Sequence, residues 1–193
     1  MTETATSTED HVRSFIDRAD RFTAALAAAG DAWDDPSPCE GWTVRDVVAH
    51  VIDTQRDFLD RQELPAGGQP DLADPVAAWR SHRAHVEEVL ASPDIAGLEY
   101  DGFFGRTTIG ATMADFYGWD LVIHGWDVAR GTGQPWTISD AEAESLHATA
   151  DGWGDALYSE GICRAPVQVP DDASATDRLV ARLGRDPYWQ PGS

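Results

Sequence analysis

A chain of 193 residues with 42% hydrophobic residues can bury a sizeable core without disulfides or a structural metal, and it fits one domain. Its formal net charge of −20 and pI near 4.3 repel nucleic acid and anionic lipid, so neither is expected as a partner. No apolar run is long enough to span a membrane, and residues 1–10 are polar and acidic without a signal-peptide pattern, so a cytoplasmic location is expected.

The first predicted helix covers residues 8–29, where Val12, Phe15, Ile16, Ala19, Phe22 and Leu26 recur at three- and four-residue spacing. Gly30 stops it, and Asp34-Asp35-Pro36-Ser37-Pro38 is loop. Cys39 follows in that loop. It and Cys163 match no metal-ligand spacing and are expected to be reduced, with Cys39 a weak candidate for redox or metal chemistry. A second helix opens at Thr43, an N-cap with Asp46 three residues on, and runs through Val47, Val48, Val51, Ile52, Phe58 and Leu59. The linker 64–71 is rich in Pro and Gly. A third helix starts at Asp74-Pro75 and runs to about Ser92, before Pro93. Residues 98–109 read as loop with a short extended piece. A fourth helix spans 112–130. A fifth opens on a capping box, Ser139 with Glu142, and extends to about Tyr158. Residues 166–170 are extended, and a short helix covers 174–183. Helical periodicity almost throughout, in four or five helices joined by loops, predicts an all-α, antiparallel helix bundle over 1–163, with a C-terminal tail over 164–193 whose short helix packs on it.

The fourth helix carries the sharpest chemical signal. Asp120 and His124 are one turn apart, so they share a face and can take two corners of a divalent-metal site. Their neighbours Trp119, Leu121, Val122, Ile123, Trp126 and Val128 make this helix apolar nearly all round, which predicts burial. A buried Asp and His need partners. A metal is one such partner, and a mutual hydrogen bond is another. A third ligand must come from another element, and His50, mid-helix among valines, is offered by the second helix. Asp46 and Asp53 are placed to satisfy His50 or fix its tautomer. His82 and His85 form a rival pair without a carboxylate, and exposed histidines are the better reading of them.

Pro38-Cys39-Glu40-Gly41-Trp42-Thr43-Val44-Arg45-Asp46-Val47-Val48-Ala49-His50 resembles the N-terminal signature of the mycothiol-dependent maleylpyruvate isomerase N-terminal domain family, one of the DinB-like metal-binding bundles. The stretch Val122-Ile123-His124-Gly125-Trp126-Asp127-Val128-Ala129-Arg130-Gly131-Thr132-Gly133 looks like its second signature. The closing segments, 165–170, 179–183 and Gly184-Arg185-Asp186-Pro187, resemble a short actinobacterial subfamily of metal-binding proteins. The resemblance implies a four-helix bundle with a divalent metal between helices, and its ligand pattern maps onto His50, Asp120 and His124. The isomerase carries Glu where this chain has Asp120, so the shorter Asp must sit closer or bind through water. The chain also has only a short tail where the isomerase has a full C-terminal domain.

Three protein ligands leave a coordination position open, the pattern of a catalytic site, and zinc suits two imidazoles and a carboxylate, with nickel or iron as alternatives. Two routes follow. The metal holds a low-molecular-weight thiol, which the resemblance implies to be mycothiol or bacillithiol, as the thiolate that attacks an electrophilic substrate in S-transfer or isomerisation. Alternatively it activates water for hydrolysis, with Asp53 or Asp127 as the general base. Tyr117 can donate a hydrogen bond into the site or serve as a core aromatic. Arg45, Arg56, Arg80 and Arg130 are candidates for holding substrate carboxylates. A non-catalytic metal-binding or regulatory module on the same bundle is the competing reading, and a homodimer through an outer face is compatible with both.

Overall fold

Helix α1 (Thr8–Ala28) opens at Ser7, whose side chain accepts from the Asp10 amide, and buries Phe15, Ala19, Phe22 and Leu26 along one face. The computed structural model describes residues 6–159 and 162–191. The first half of the polar N-terminal stretch and the last two residues of the 164–193 tail therefore lie outside the described residues. Helix α2 (Val44–Arg61) has the capping box its sequence predicts. The Asp46 amide donates to Thr43 Oγ1 at 3.2 Å and the Thr43 amide to Asp46 Oδ2 at 2.9 Å. Helix α3 (Pro75–Leu90) is capped by Asp74, and its buried Trp79 donates from Nε1 to Thr23 Oγ1 of α1 at 2.8 Å.

Pro93 starts a single turn, α4 (Pro93–Ala96), and the chain then forms an antiparallel hairpin, β1 (Glu99–Gly102) and β2 (Gly105–Thr108). Glu99 lies opposite Thr108 and Gly102 opposite Gly105, leaving Phe103 and Phe104 at the tip. The predicted fourth helix is longer than expected and not uniform. It begins as α5 (Ile109–Thr112), widens into a π-helical segment (Met113–Gly118) and continues as α6 (Trp119–Gly131). π-segments leave little trace in residue pattern and recur at functional sites.

Helices α1 and α2 each pack against both α3 and α6, which closes a four-helix bundle. Its core holds Phe15, Phe22, Val48, Val51, Trp79 and Leu121. Helix α7 (Asp140–Trp153) ends in a 3-10 turn over Gly154–Tyr158, earlier than its pattern suggested. Only half of its predicted capping box forms. The Glu142 amide donates to Ser139 Oγ, but the Glu142 carboxylate instead takes Arg21 Nη1 at 2.6 Å. Helix α8 (Ala175–Arg182) packs on α7, and a second apolar cluster joins Val122 and Ile123 of α6 to Leu146 and Leu179. Helix α6 is thus covered on two sides, which is why it is apolar nearly all round. Among the described residues, no helix is long and apolar enough to cross a membrane.

Candidate metal centre

The loop before α2 is tied into a tight unit. Pro36 bridges Thr43, the Ser37 amide donates to the Trp42 carbonyl at 2.9 Å, and the Val44 amide donates to the Asp35 carbonyl. Gly131 at the end of α6 allows this unit to come close. A Cβ there would sit 2.6 Å from Val44 Cγ2 and 3.1 Å from the Pro36 carbonyl oxygen. The result sets Trp42 and His50 of one element against His124 of the other. The Trp42 and His50 rings lie 4.9 Å apart, and the His50 and His124 rings 5.0 Å apart.

Asp120, His124 and His50 come together as one group, with their ligand atoms all within 4.8 Å of one another. His124 Nε2 is 3.3 Å from Asp120 Oδ1. A tetrahedral ion with bonds of about 2.0 Å holds its donors about 3.3 Å apart, so the shorter Asp reaches far enough to share an ion with His124. Among the described residues, no group hydrogen-bonds the half-buried His50 ring. Asp46 is spent on the helix cap, and Asp53 is exposed and accepts from Gln69 Nε2 at 3.0 Å, so neither orients His50 as the sequence reading allowed.

The other face of His124 is fully built. Nδ1 donates to Asp127 Oδ2 at 2.8 Å, and Asp127, wholly buried, takes a two-point contact from Arg185. Nδ1–H to a carboxylate leaves Nε2 for ligation, the usual arrangement behind a metal-bound imidazole. A second group, Cys39 with His124 and Asp127, also falls within 4.8 Å. Its Asp127 oxygens are both engaged by Arg185 and its His124 nitrogen by Asp127, so the group with His50 and Asp120 fits an ion better.

Charges reinforce this geometry. Burial works against a charged His124, but Asp120 beside it and the hydrogen bonds to Asp120 and Asp127 outweigh burial and raise its pKa well above the ordinary range. Asp120 is held below its ordinary value because His124 overrides the cost of its burial. Burial and the nearby His124 push His50 down, so it presents a neutral imidazole. The field at this point favours positive charge; His50 and Asp120 already have the forms that ligate, and a metal ion would take the place of the proton on His124 Nε2.

The group opens into a cavity of about 520 Å³. Phe116, Tyr117, Trp119, Ile123, Trp153 and Leu157 give it a largely apolar wall. Phe104 of the hairpin stacks on Trp153 with ring centroids 6.2 Å apart. Tyr117 is buried, as a core aromatic would be, and also lines this cavity. Burial raises its pKa, so the phenol stays protonated and able to donate. Cys39 and Cys163 are both free thiols on the cavity wall, and burial pushes the Cys163 thiol up.

The arginines chosen from sequence are spent elsewhere or lie off the cavity. Arg45 pairs with Asp34 and the Leu72 carbonyl, Arg56 with the carbonyls of Ala66, Gly67 and Gly68, and Arg130 with the Pro187 carbonyl. Arg80 is exposed and does not line it. The cavity arginines are Arg61, Arg164 and Arg185. Of these, Arg185 had a detectable signal. A fully buried Asp127 in an apolar helix demands a cation, and the tail motif around Gly184 supplies one. The rival pair also differs from its reading. His82 is buried, with Nε2 3.0 Å from Gln55 Oε1, and His85 Nε2 meets the Pro65 carbonyl at 2.9 Å.

A family model, the mycothiol maleylpyruvate isomerase N-terminal domain, matches residues 12–129. The uncharacterized protein Rv0738 of Mycobacterium tuberculosis is 28% identical over 171 residues, covering 86% of this chain and 92% of its own length. The uncharacterized protein Rv0036c of the same organism is 33% identical over 146 residues, covering 63% of this chain and 55% of its own. No solved structure gives a significant match.

Proposed function

The chain belongs to the mycothiol maleylpyruvate isomerase N-terminal domain family, and from that premise we propose that it binds one divalent metal, zinc, through His50, Asp120 and His124. We propose further that it is a metal-dependent enzyme using a low-molecular-weight thiol of the mycothiol kind for S-transfer or isomerisation. The observation that carries the reading is the convergence of these donors, from α2 and α6, at an open cavity. Three protein donors leave a position for an incoming ligand, as catalytic sites do. A divalent ion held by His50, Asp120 and His124 would supply the positive charge that acidifies a thiol, which would then react as thiolate.

The chain's own residues supply the rest. His50 offers a neutral ring, Asp120 an ionised carboxylate, and Asp127 holds His124 in the ligating tautomer. Tyr117 keeps its proton and can donate to an oxygen of the substrate. Phe116, Trp119 and Trp153 give the cavity an apolar side. The hydrolase alternative is weaker, because its two base candidates are engaged: Asp53 faces solvent and Asp127 is bound by Arg185. A non-catalytic metal-binding module is the second reading, and a cavity of this size beside the ligands favours the enzyme.

Elemental analysis of purified protein tests the site. About one zinc per chain is expected, with loss of the metal in His50→Ala, and full occupancy in that variant overturns the ligand set. A thermal shift with mycothiol tests the thiol. A rise in midpoint that requires added zinc supports it, and no rise with zinc present removes mycothiol as the cosubstrate.

A further inference from the structure

The segment Gly184-Arg185-Asp186-Pro187 lies outside the residues the family model matches, yet it reaches the metal centre. Arg185 donates from Nε to Asp127 Oδ1 at 2.8 Å and from Nη2 to Asp127 Oδ2 at 2.7 Å. Its side chain is 11% exposed and that of Asp127 is fully buried. The same Oδ2 accepts from His124 Nδ1. We infer that Arg185 is a positioning residue for the metal centre: by clamping Asp127 it fixes the ring and tautomer of His124, so the C-terminal segment completes a site whose ligands all come from the bundle. The inference rests on the ligand set proposed above.

The segment is built to deliver that side chain. Gly184 has φ +79°, and a Cβ there would lie 2.5–2.9 Å from Arg164 atoms, two of them backbone, so the chain can turn at this point only with glycine. The Arg185 amide donates to the Val180 carbonyl at 3.1 Å, and Val167 donates to Ala181 at 2.8 Å, which ties the extended stretch and α8 to the turn. Arg130 of α6 donates from Nη2 to the Pro187 carbonyl at 3.0 Å, which anchors the far side.

The choice of arginine follows from the contact. A planar fork matches both carboxylate oxygens and sets the plane of Asp127, which a lysine ammonium cannot do. Cys39 Sγ lies 3.3 Å from Asp127 Oδ2 and 3.6 Å from Arg185 Nη2, which closes the remaining side of the carboxylate. Little freedom is left to the Asp127 carboxylate, and so little is left to His124. If Arg185 served only to neutralise a buried charge, any cation would do and the metal would not notice its replacement.

The test is zinc affinity of the full-length chain, measured by competition with a chromophoric chelator, for wild type, His50→Ala, Arg185→Lys, Arg185→Met and the double variant Asp127→Asn/Arg185→Met. Loss of an outer partner of a metal-bound histidine weakens binding about 10- to 100-fold, and this is expected for Arg185→Met and for the double variant. The double variant leaves no unpaired buried charge, and its metal-free fold is checked by circular dichroism. Arg185→Lys keeps the charge without the fork, and several-fold weakening is expected. The visible spectrum of the cobalt-loaded protein is expected to change in each Arg185 variant. Wild-type zinc affinity and cobalt spectrum in a folded Arg185→Lys or double variant overturn the inference. A wild type that takes up no zinc, or a His50→Ala variant with wild-type affinity, overturns the ligand set itself, which separates the two failures.

Discussion

His124 and His82 are both buried histidines on bundle helices, and they are held in opposite ways. His124 sits between Asp120 and Asp127, at the edge of a cavity, with its pKa raised. His82 meets a neutral amide, Gln55, and its ring packs near Trp79. Burial, then the nearby Arg56 and His85, lower its pKa to about 4. Burial is common to both, so burial does not mark a ligand. Two carboxylates around one imidazole create a place for positive charge, whereas an amide merely satisfies a neutral ring.

The largest effect that can break this contrast is the acid sensitivity of His82. Its unfolded value is near 6.5 and its native value about 4. Between those values the unfolded chain binds a proton that the native state refuses, so this contribution to stability is full above pH 6.5 and is lost as pH falls towards 4. The shift corresponds to about 3 kcal/mol. Urea unfolding across that window is expected to show wild type losing about 3 kcal/mol more than His82→Leu. Equal losses would mean that His82 is not held neutral.

Zinc provides the next test. At free zinc 100-fold above its Kd, a site present only in the native state adds about 2.7 kcal/mol of stability. That gain is expected to persist in His82→Leu and His85→Ala and to vanish in His124→Ala, read from chemical unfolding with and without zinc. A gain that disappears in the α3 variants instead would move the metal to the rival pair.

Much of this contrast could be read from sequence, and the rest could not, for physical reasons. The helices follow from apolar spacing, from the caps at Thr43 and Ser139 and from Pro75 at the start of α3, because these are local interactions. Asp120 and His124 follow from the pitch of one helix. Three features needed tertiary structure. The π-segment before Asp120 has no side-chain pattern of its own, and the 99–108 hairpin lacks an apolar alternation because it lies on the surface. The role of each arginine depends on where its loop passes, so Arg45, Arg56 and Arg130, attractive by position, are spent on carbonyls and a surface carboxylate, while Arg185 reaches the site from the far end of the chain. The burial of His82, by contrast, is legible in the spacing, because Ala78, Trp79 and Val86 lie on the same face of its helix, and only its partner Gln55 needed the fold.

The smallest expected effect tests that last pairing. Removing the amide in Gln55→Leu leaves the His82 N–H buried and without its acceptor, which costs about 1–2 kcal/mol. If the amide does no more than satisfy this ring, replacing both partners with apolar groups restores most of the loss, because a missing pair is cheaper than half a pair. Gln55→Leu is therefore expected to be less stable at pH 7 than the double variant Gln55→Leu/His82→Leu, with zinc affinity unchanged in both. A double variant no more stable than Gln55→Leu would mean that Gln55 contributes by packing, and the neutral half of the comparison would then rest on burial alone.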